Sequence, residues 1–226
     1  MLKLGLDLSL SSIRPQGVWS PDSESTLEAW YQKGEGITLN GSDVSQWADS
    51  SIKGIDMVQA TASEQPSYSS GVLSFDSSAT QNLQSTGQIS LEGDFTIGAK
   101  LHVKAGGVVL LGDNTTTGEF IRFSSTSQFR VRIDNTTAVN IEKNEGSWLE
   151  NAYMVLTRTS DVLKLYWKGV AQTDTETLSG TADIDAIGVR RTDTNPYEGD
   201  ISEIQIYSSS SVALTNEVND YLAGMM

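Results

Sequence analysis

The sequence predicts an all-β domain, an antiparallel β-sandwich with one short C-terminal helix. Two observations carry this prediction. Short strand-like runs recur along nearly the whole chain, separated by Gly, Asp, Ser and other turn residues. Only the tail, ALTNEVNDYLAG, spaces its apolar residues as a helix does. With 226 residues, the chain is long enough to bury a sizeable core within one domain.

The strand-like runs begin at the first residue. MLKLGLDLSL alternates leucine with other residues, which is the period of a β-strand. The later runs share either this alternation or a short apolar stretch bounded by turn residues, and they are LEAWYQ, DVSQW, GVLSF, QNLQS, DFTIGAKLHV, GGVVLLG, EFIRFSS, QFRVRID, TAVNIE, YMVLTRTSDVLKLYWKG, QTDTETL, DAIGVRR and EGDISEIQIY. Many short strands at this spacing are typical of a sandwich or a barrel.

The clearest hairpin is YMVLTRTSDVLKLYWKG. Ser160 and Asp161 form its predicted loop, between two alternating runs. Leu163, Leu165 and Trp167 fall on one face of the second strand, which is therefore expected to face the core.

The tail is predicted to form the one helix. Leu214, Val218 and Leu222 recur at helical spacing, with Thr215 as the expected N-cap and Gly224 as the expected stop. No internal repeat and no long linker divides the chain. We therefore expect an N-terminal strand and loop over residues 1–23, followed by a single sandwich domain over residues 24–226.

Composition excludes several functions. The formal net charge of −14 would repel nucleic acid and anionic membranes, so neither is an expected partner. The chain has no cysteine and a single histidine, His102, which excludes disulfides and the usual zinc sites. Asp7 interrupts the apolar start, so we expect neither a signal peptide nor a transmembrane segment there.

Several phrases resemble, in order, the concanavalin A-like jelly-roll domains of the LamG/pentraxin type. They are Trp47-Ala48-Asp49, Phe75-Asp76 and the strand from Tyr197 to Tyr207, which precedes the predicted helix. The resemblance extends over roughly residues 24 to 224. It implies a jelly-roll sandwich but no single function, because this fold carries lectins, hydrolases, adhesion modules and capsid parts.

Similar domains also occur among the virion proteins of tailed phages, marine ones especially. That resemblance implies a non-catalytic structural or decoration protein of a virion. Its expected partners are other virion proteins, a glycan or host-surface ligand, and further copies of the chain. The alternatives are a carbohydrate-binding module of a cellular organism and a laminarinase-type glycoside hydrolase.

The hydrolase alternative depends on EGDISE. Glu198, Asp200 and Glu203 resemble the active-site strand of laminarinase-type enzymes. In a regular strand, however, Glu203 points away from the other two, and only a β-bulge would bring all three to one face. Gly199 and Ser202 also stand where the hydrolase pattern has apolar residues. We therefore expect a structural strand and no catalysis.

Two further sets of site residues are predicted. Trp19 and Trp148 flank loops and are the candidates for stacking on a sugar ring. Calcium is the only candidate cofactor. Asp76, Asp94 and Asp200 lie beside strands of the resembling fold, where carboxylates hold Ca²⁺ in some LamG and pentraxin domains.

Overall fold

A computed structural model describes residues 19–114, 118–134, 136–190 and 192–225. Seventeen strands and one α-helix lie in these ranges. In chain order they are β1 (Leu27–Tyr31), β2 (Ile37–Asn40), β3 (Asp43–Trp47), β4 (Met57–Val58), β5 (Ser67–Ser69), β6 (Val72–Phe75), β7 (Leu83–Leu91), β8 (Phe95–Val103), β9 (Val108–Gly112), β10 (Phe120–Phe123), β11 (Gln128–Arg132), β12 (Val139–Glu142), β13 (Asn151–Thr159), β14 (Val162–Trp167), β15 (Val170–Thr177), β16 (Ala182–Ile187), β17 (Gly199–Tyr207) and α1 (Val212–Gly224).

The strands form two antiparallel sheets. In the front sheet β17, β8, β13, β14 and β15 are neighbours in that order, and β6 and β1 pair with the two halves of β17 on its other side. The back sheet runs β7, β16, β9, β10, β11 and β12. Strands β2 to β5 link the two sheets along one edge. The predicted antiparallel sandwich with one C-terminal helix is confirmed.

The predicted hairpin is confirmed in detail. Strand β13 ends before Ser160, and β14 begins after Asp161. Both loop residues have positive φ, as the two-residue turns that match strand twist require. Leu163, Leu165 and Trp167 all face the core and are at most 4% exposed.

Helix α1 packs on the outer face of the front sheet. The apolar side of the helix consists of Leu214, Val218 and Leu222. These residues form a buried cluster with aromatic residues of the sheet, including Trp30 and Tyr153. The predicted apolar spacing of the helix is therefore confirmed.

The predicted N-cap was wrong. The helix begins one turn earlier than expected, because Ser211 accepts a hydrogen bond from the backbone NH of Leu214. Thr215 lies inside the helix, where its hydroxyl donates to the Ser211 carbonyl.

Two further sequence predictions concern the N-terminal strand and the absence of a transmembrane segment. The leucine strand predicted at the N-terminus lies outside the described residues. Within the ranges described, no helix combines the length and apolarity that crossing a membrane demands.

Gly98 of β8 sets how closely α1 approaches the sheet. A Cβ at this position would lie 2.5 Å from Cγ1 of Val218 and 3.1 Å from Cδ1 of Leu222. Val218 is β-branched and fixed on the helix, so α1 would have to shift as a whole. The missing side chain therefore allows the helix to pack directly against the strand.

We expect Gly98→Ala to destabilise the protein by about 1–3 kcal/mol, because overpacking forces the helix off the sheet. Denaturant unfolding monitored by tryptophan fluorescence measures this change. Gly93→Ala is the matched control, since no atom lies within 4 Å of its Cβ position. Equal stabilities of the two variants would contradict this role of Gly98.

Candidate functional site

A β-bulge interrupts the EGDISE strand. Asp200 lies opposite His102 of β8. Glu203 lies opposite Lys100, only two residues earlier in β8, so Ser202 is the extra residue of the bulge. The bulge resets the alternation and brings Asp200 and Glu203 to the same outer face. The sequence left open whether a bulge interrupts this strand, and the structure shows that one does.

Gly199 allows β17 to start close to β8. Its φ is +148°, and a Cβ there would lie 2.0 Å from the carbonyl oxygen of His102. No other residue fits at this close approach. The contact places the next residue, Asp200, against the side chain of His102.

Glu203 is a structural carboxylate. It has no exposed surface, and it accepts hydrogen bonds from the indole NH of Trp30, from the backbone NH of Lys33 (2.6 Å) and from Gln205 (3.2 Å). Burial raises its pKa above the usual value, although these hydrogen bonds oppose the shift. The carboxylate ties β1 and the chain after it to β17 and is closed to a substrate.

Asp200 is half-buried and ionised. Its carboxylate accepts hydrogen bonds from Lys104 Nζ (2.9 Å) and Ser74 Oγ (2.8 Å), and its other oxygen lies 3.3 Å from His102 Nδ1. Partial burial opposes ionisation, but the hydrogen bonds and the nearby positive charges outweigh it. The pKa of Asp200 is therefore lowered.

The third carboxylate of the motif points elsewhere. Glu198 accepts a hydrogen bond from the backbone NH of Ser77, 2.8 Å away. Each acid of EGDISE is thus held by different partners. A retaining glycosidase instead needs two carboxyl groups facing the same glycosidic bond, roughly 5 Å apart.

A polar cleft of about 260 Å³ opens beside Asp200, on the outer face of the front sheet. We call it the Asp200 cleft. Its polar lining residues are Lys33, Lys100, His102, Asn151, Asp200 and Ser202. They combine a fixed negative charge with amide, ammonium and hydroxyl donors, which is a set that can bind the hydroxyl groups of a ligand.

The two predicted tryptophans have different environments. Trp148 is fully buried, and its ring packs against Phe123, Phe129 and Trp167 of the core. This corrects its assignment as a sugar-stacking residue, because no ring face is open to a ligand. Trp19 is half-buried, packs edge-on against Tyr221 and donates to a nearby glutamate. Its role in glycan binding stays a prediction.

The structure does not bring together the three aspartates predicted for calcium. Asp94 precedes β8, whereas Asp200 pairs near the other end of that strand, roughly 25 Å away at the usual rise per residue. Asp76 accepts hydrogen bonds from the backbone NH and the hydroxyl of Ser78. One ion therefore cannot use all three.

Another group of carboxylates lies on the back sheet. Oxygen atoms of Asp113, Glu119 and Asp183 lie within 4.8 Å of one another, and this is the one such trio in the described ranges. Such spacing suits Ca²⁺, which takes oxygen ligands at about 2.3–2.6 Å. Sequence patterns missed this trio because its members are as far as 70 residues apart. Burial raises the pKa of Glu119 to about 7, with a contribution from the other two charges.

Comparison with known proteins shows the fold. No protein-family model and no curated protein sequence matches the chain. It is similar to Trypanosoma rangeli sialidase in complex with sialic acid, at 15% identity and a TM-score of 0.57, covering 89% of this chain and 33% of that one. The chain thus spans a third of the sialidase.

The chain is also similar to domain 4 of AbnA, a GH43 extracellular arabinanase from Geobacillus stearothermophilus, in complex with arabinotriose. The identity is 14% and the TM-score is 0.56, and the match covers 88% of this chain and 98% of that domain. At these identities the likenesses establish a shared β-sandwich fold.

The raised pKa of Glu119 leads us to predict an unusual pH dependence of stability. Its folded pKa is raised, so between about pH 4.5 and 7 the folded state binds more protons than the unfolded state. Its contribution to stability therefore falls as pH rises through this window, by on the order of 1–3 kcal/mol. We expect Glu119→Gln to gain stability over the wild type as pH rises from 4.5 to 7.5.

Urea unfolding at several pH values in EDTA measures this difference, since EDTA keeps divalent cations from neutralising the trio. Glu92→Gln is the control, because it makes the same change from carboxylate to amide at an exposed position outside the trio. A pH-independent difference for Glu119→Gln would contradict the prediction.

Proposed function

We propose that the protein is a non-catalytic carbohydrate-binding module that binds its ligand at the Asp200 cleft. The observation that carries the proposal is the cleft itself, where an ionised carboxylate meets amide, ammonium and hydroxyl groups. Sugar hydroxyls both donate and accept hydrogen bonds, so they match such a mixed lining. Most of the lining residues stand on paired strands of the front sheet, which favours binding with little loss of conformational entropy.

Two structural neighbours support a carbohydrate ligand. The arabinanase domain, of which this chain covers nearly the whole length, was solved in complex with arabinotriose. The sialidase, of which it covers a third, was solved in complex with sialic acid. The proposed LamG/pentraxin-type relationship would also be compatible with a lectin-like role.

The absence of catalysis is part of the proposal. Glu203 is enclosed, and Glu198 accepts a hydrogen bond from the backbone of Ser77 instead of facing the cleft beside Asp200. The laminarinase-type alternative would require Glu203 to reach a glycosidic oxygen. We expect no turnover on a broad panel of polysaccharides, and turnover that disappears in Glu203→Gln would favour the hydrolase.

We further propose that the protein is a virion structural or decoration protein, displayed together with other virion proteins. The support is the sequence resemblance to proteins of tailed phages. The alternative is that the protein is a carbohydrate-binding module of a cellular organism and uses the same site. Mass spectrometry of purified particles distinguishes the two, and a gene neighbourhood without phage structural genes would contradict the virion proposal.

We expect Asp200→Asn to weaken glycan binding by about tenfold or more, because a charged acceptor forms hydrogen bonds worth about 1.5–3 kcal/mol. A glycan array identifies the ligand, and calorimetry then measures its dissociation constant. Glu92→Gln is the matched control, since it removes one negative charge from an exposed position beyond the other end of β8.

Equal affinities of the Asp200→Asn variant and the wild type would exclude the cleft as the binding site. Equal losses in both variants would indicate a general effect of charge, with the same consequence. Thermal unfolding of each variant shows that the comparison is between folded proteins.

A further inference from the structure

Arginines concentrate on the outer face of the back sheet. Strands β10 and β11 alternate apolar residues toward the core with arginines toward the outside. Four of the chain's seven arginines line one depression of about 430 Å³, and they are Arg122, Arg130, Arg132 and Arg190. We call this surface the arginine face. None of the residues that line it is acidic.

Arg122 and Arg130 face each other directly across the two strands. Like charges in this position are only about 5 Å apart at their Cβ atoms and destabilise a sheet. Arg122 is partly desolvated as well, and burial together with the charge of Arg130 lowers its pKa. The pair is therefore unfavourable unless a negative group lies between or above the two side chains.

The hydrogen-bond donors of this pair are not used up. The Nε atoms of Arg122 and Arg130 are both buried, and neither has a hydrogen-bond partner in the described part of the chain. A buried donor without a partner is unfavourable, because it has lost its hydrogen bonds to water. Arg122 makes one long contact, 3.5 Å from Nη1 to the Asn195 side chain, and Arg130 makes none within the described residues.

The surrounding residues hold the other guanidinium groups in place. Asn195 accepts two hydrogen bonds from Arg190, at 3.0 and 3.2 Å, and the carbonyl of Thr136 accepts one from Arg132 at 2.8 Å. The ring of Phe120 packs against the guanidinium of Arg190, with its centroid 4.4 Å away. Such positioning lowers the entropy lost when a ligand binds.

We propose that the arginine face binds the carboxylate or sulfate group of an acidic saccharide. Guanidinium groups bind such anions through paired hydrogen bonds, and here the anion would lie among the arginine side chains that line the depression and offset the repulsion between the facing Arg122 and Arg130. The depression has the volume of a small-molecule site. The net charge of −14 disfavours long polyanions in general, so the affinity would have to come from the local arrangement of the arginines. The saccharide part of this inference rests on the proposed function.

Matched polymers test the proposal. Dextran sulfate is compared with dextran, and polygalacturonate with its methyl ester, by affinity electrophoresis and calorimetry at about 0.15 M salt, where long-range attraction is screened. We expect at least one charged polymer to bind about tenfold more tightly than its neutral counterpart. Arg130→Gln should remove about tenfold of that affinity, and the double variant Arg122→Gln/Arg130→Gln should remove the preference.

Lys164→Gln is the control variant, since it removes one positive charge from the outer face of the front sheet. It should bind the charged polymers as the wild type does. Arg130→Gln should unfold at the wild-type temperature or above, because it relieves the repulsion between facing arginines. A loss of binding without a loss of stability is therefore the expected result.

Four results would overturn the proposal. They are equal affinity for charged and neutral polymers, equal losses in Lys164→Gln and Arg130→Gln, binding of single-stranded DNA with the same affinity and arginine dependence, and binding of inorganic sulfate as tightly as of the polymers. Binding of DNA would indicate a general polyanion surface, and tight binding of inorganic sulfate would indicate a site for free anions.

Asp200→Asn separates this inference from the proposed function. It should weaken binding of the ligand of the Asp200 cleft and leave the preference for charged polymers unchanged. If charged-polymer binding is lost in Asp200→Asn and kept in Arg130→Gln, the anion binds at the cleft and the arginine face is not its site. Conversely, binding lost only in Arg130→Gln supports the arginine face whatever happens at the cleft.

Discussion

One extra residue in strand β17 decides which side chains of the central strand face the core. Because Ser202 forms a bulge, Ile201, Ile204 and Ile206 all point inward and are fully buried. The same shift places Asp200 and Glu203 together on the outer face. Without it, either the isoleucines beyond the bulge would face outward or Asp200 would point into the core, and both are costly. The helix contact and the Asp200 cleft both depend on this register.

The outer faces of the two sheets differ in what covers them and in their charge. On the front sheet, α1 covers the apolar part, and a polar chain from Glu203 through Gln205 to Tyr207 lies under or beside it. The part near Asp200 stays open to solvent. On the back sheet, no helix of the described ranges covers the strands, and arginines replace the apolar residues. The net charge of −14 thus conceals a local positive surface.

Sequence patterns predicted the elements that depend on local periodicity. The alternation around Leu163 and the spacing around Val218 specified a hairpin and a helix, because side-chain period alone decides which face is buried. The presence of the bulge was left open, although the spacing of Ile201, Ile204 and Ile206, three residues and then two, carries its signal. Trp148 could not be placed, because it follows a loop and its burial depends on aromatic residues from three other segments. The carboxylate trio and the arginine face likewise require knowledge of the pairing between distant strands.

The two candidate sites differ in how far the protein itself provides partners for their charged groups. Asp200 is satisfied without a ligand, because Lys104 and Ser74 already bond to it, so a sugar at the cleft would compete with or extend an existing network. Arg130 has no such partner in the described residues and faces Arg122 across the strands, so an anion there would relieve an existing repulsion. The sites also lie on opposite faces of a sandwich whose sheets pack about 10 Å apart. One short oligosaccharide therefore cannot occupy both, and the two affinities are set independently by the chemistry of each face.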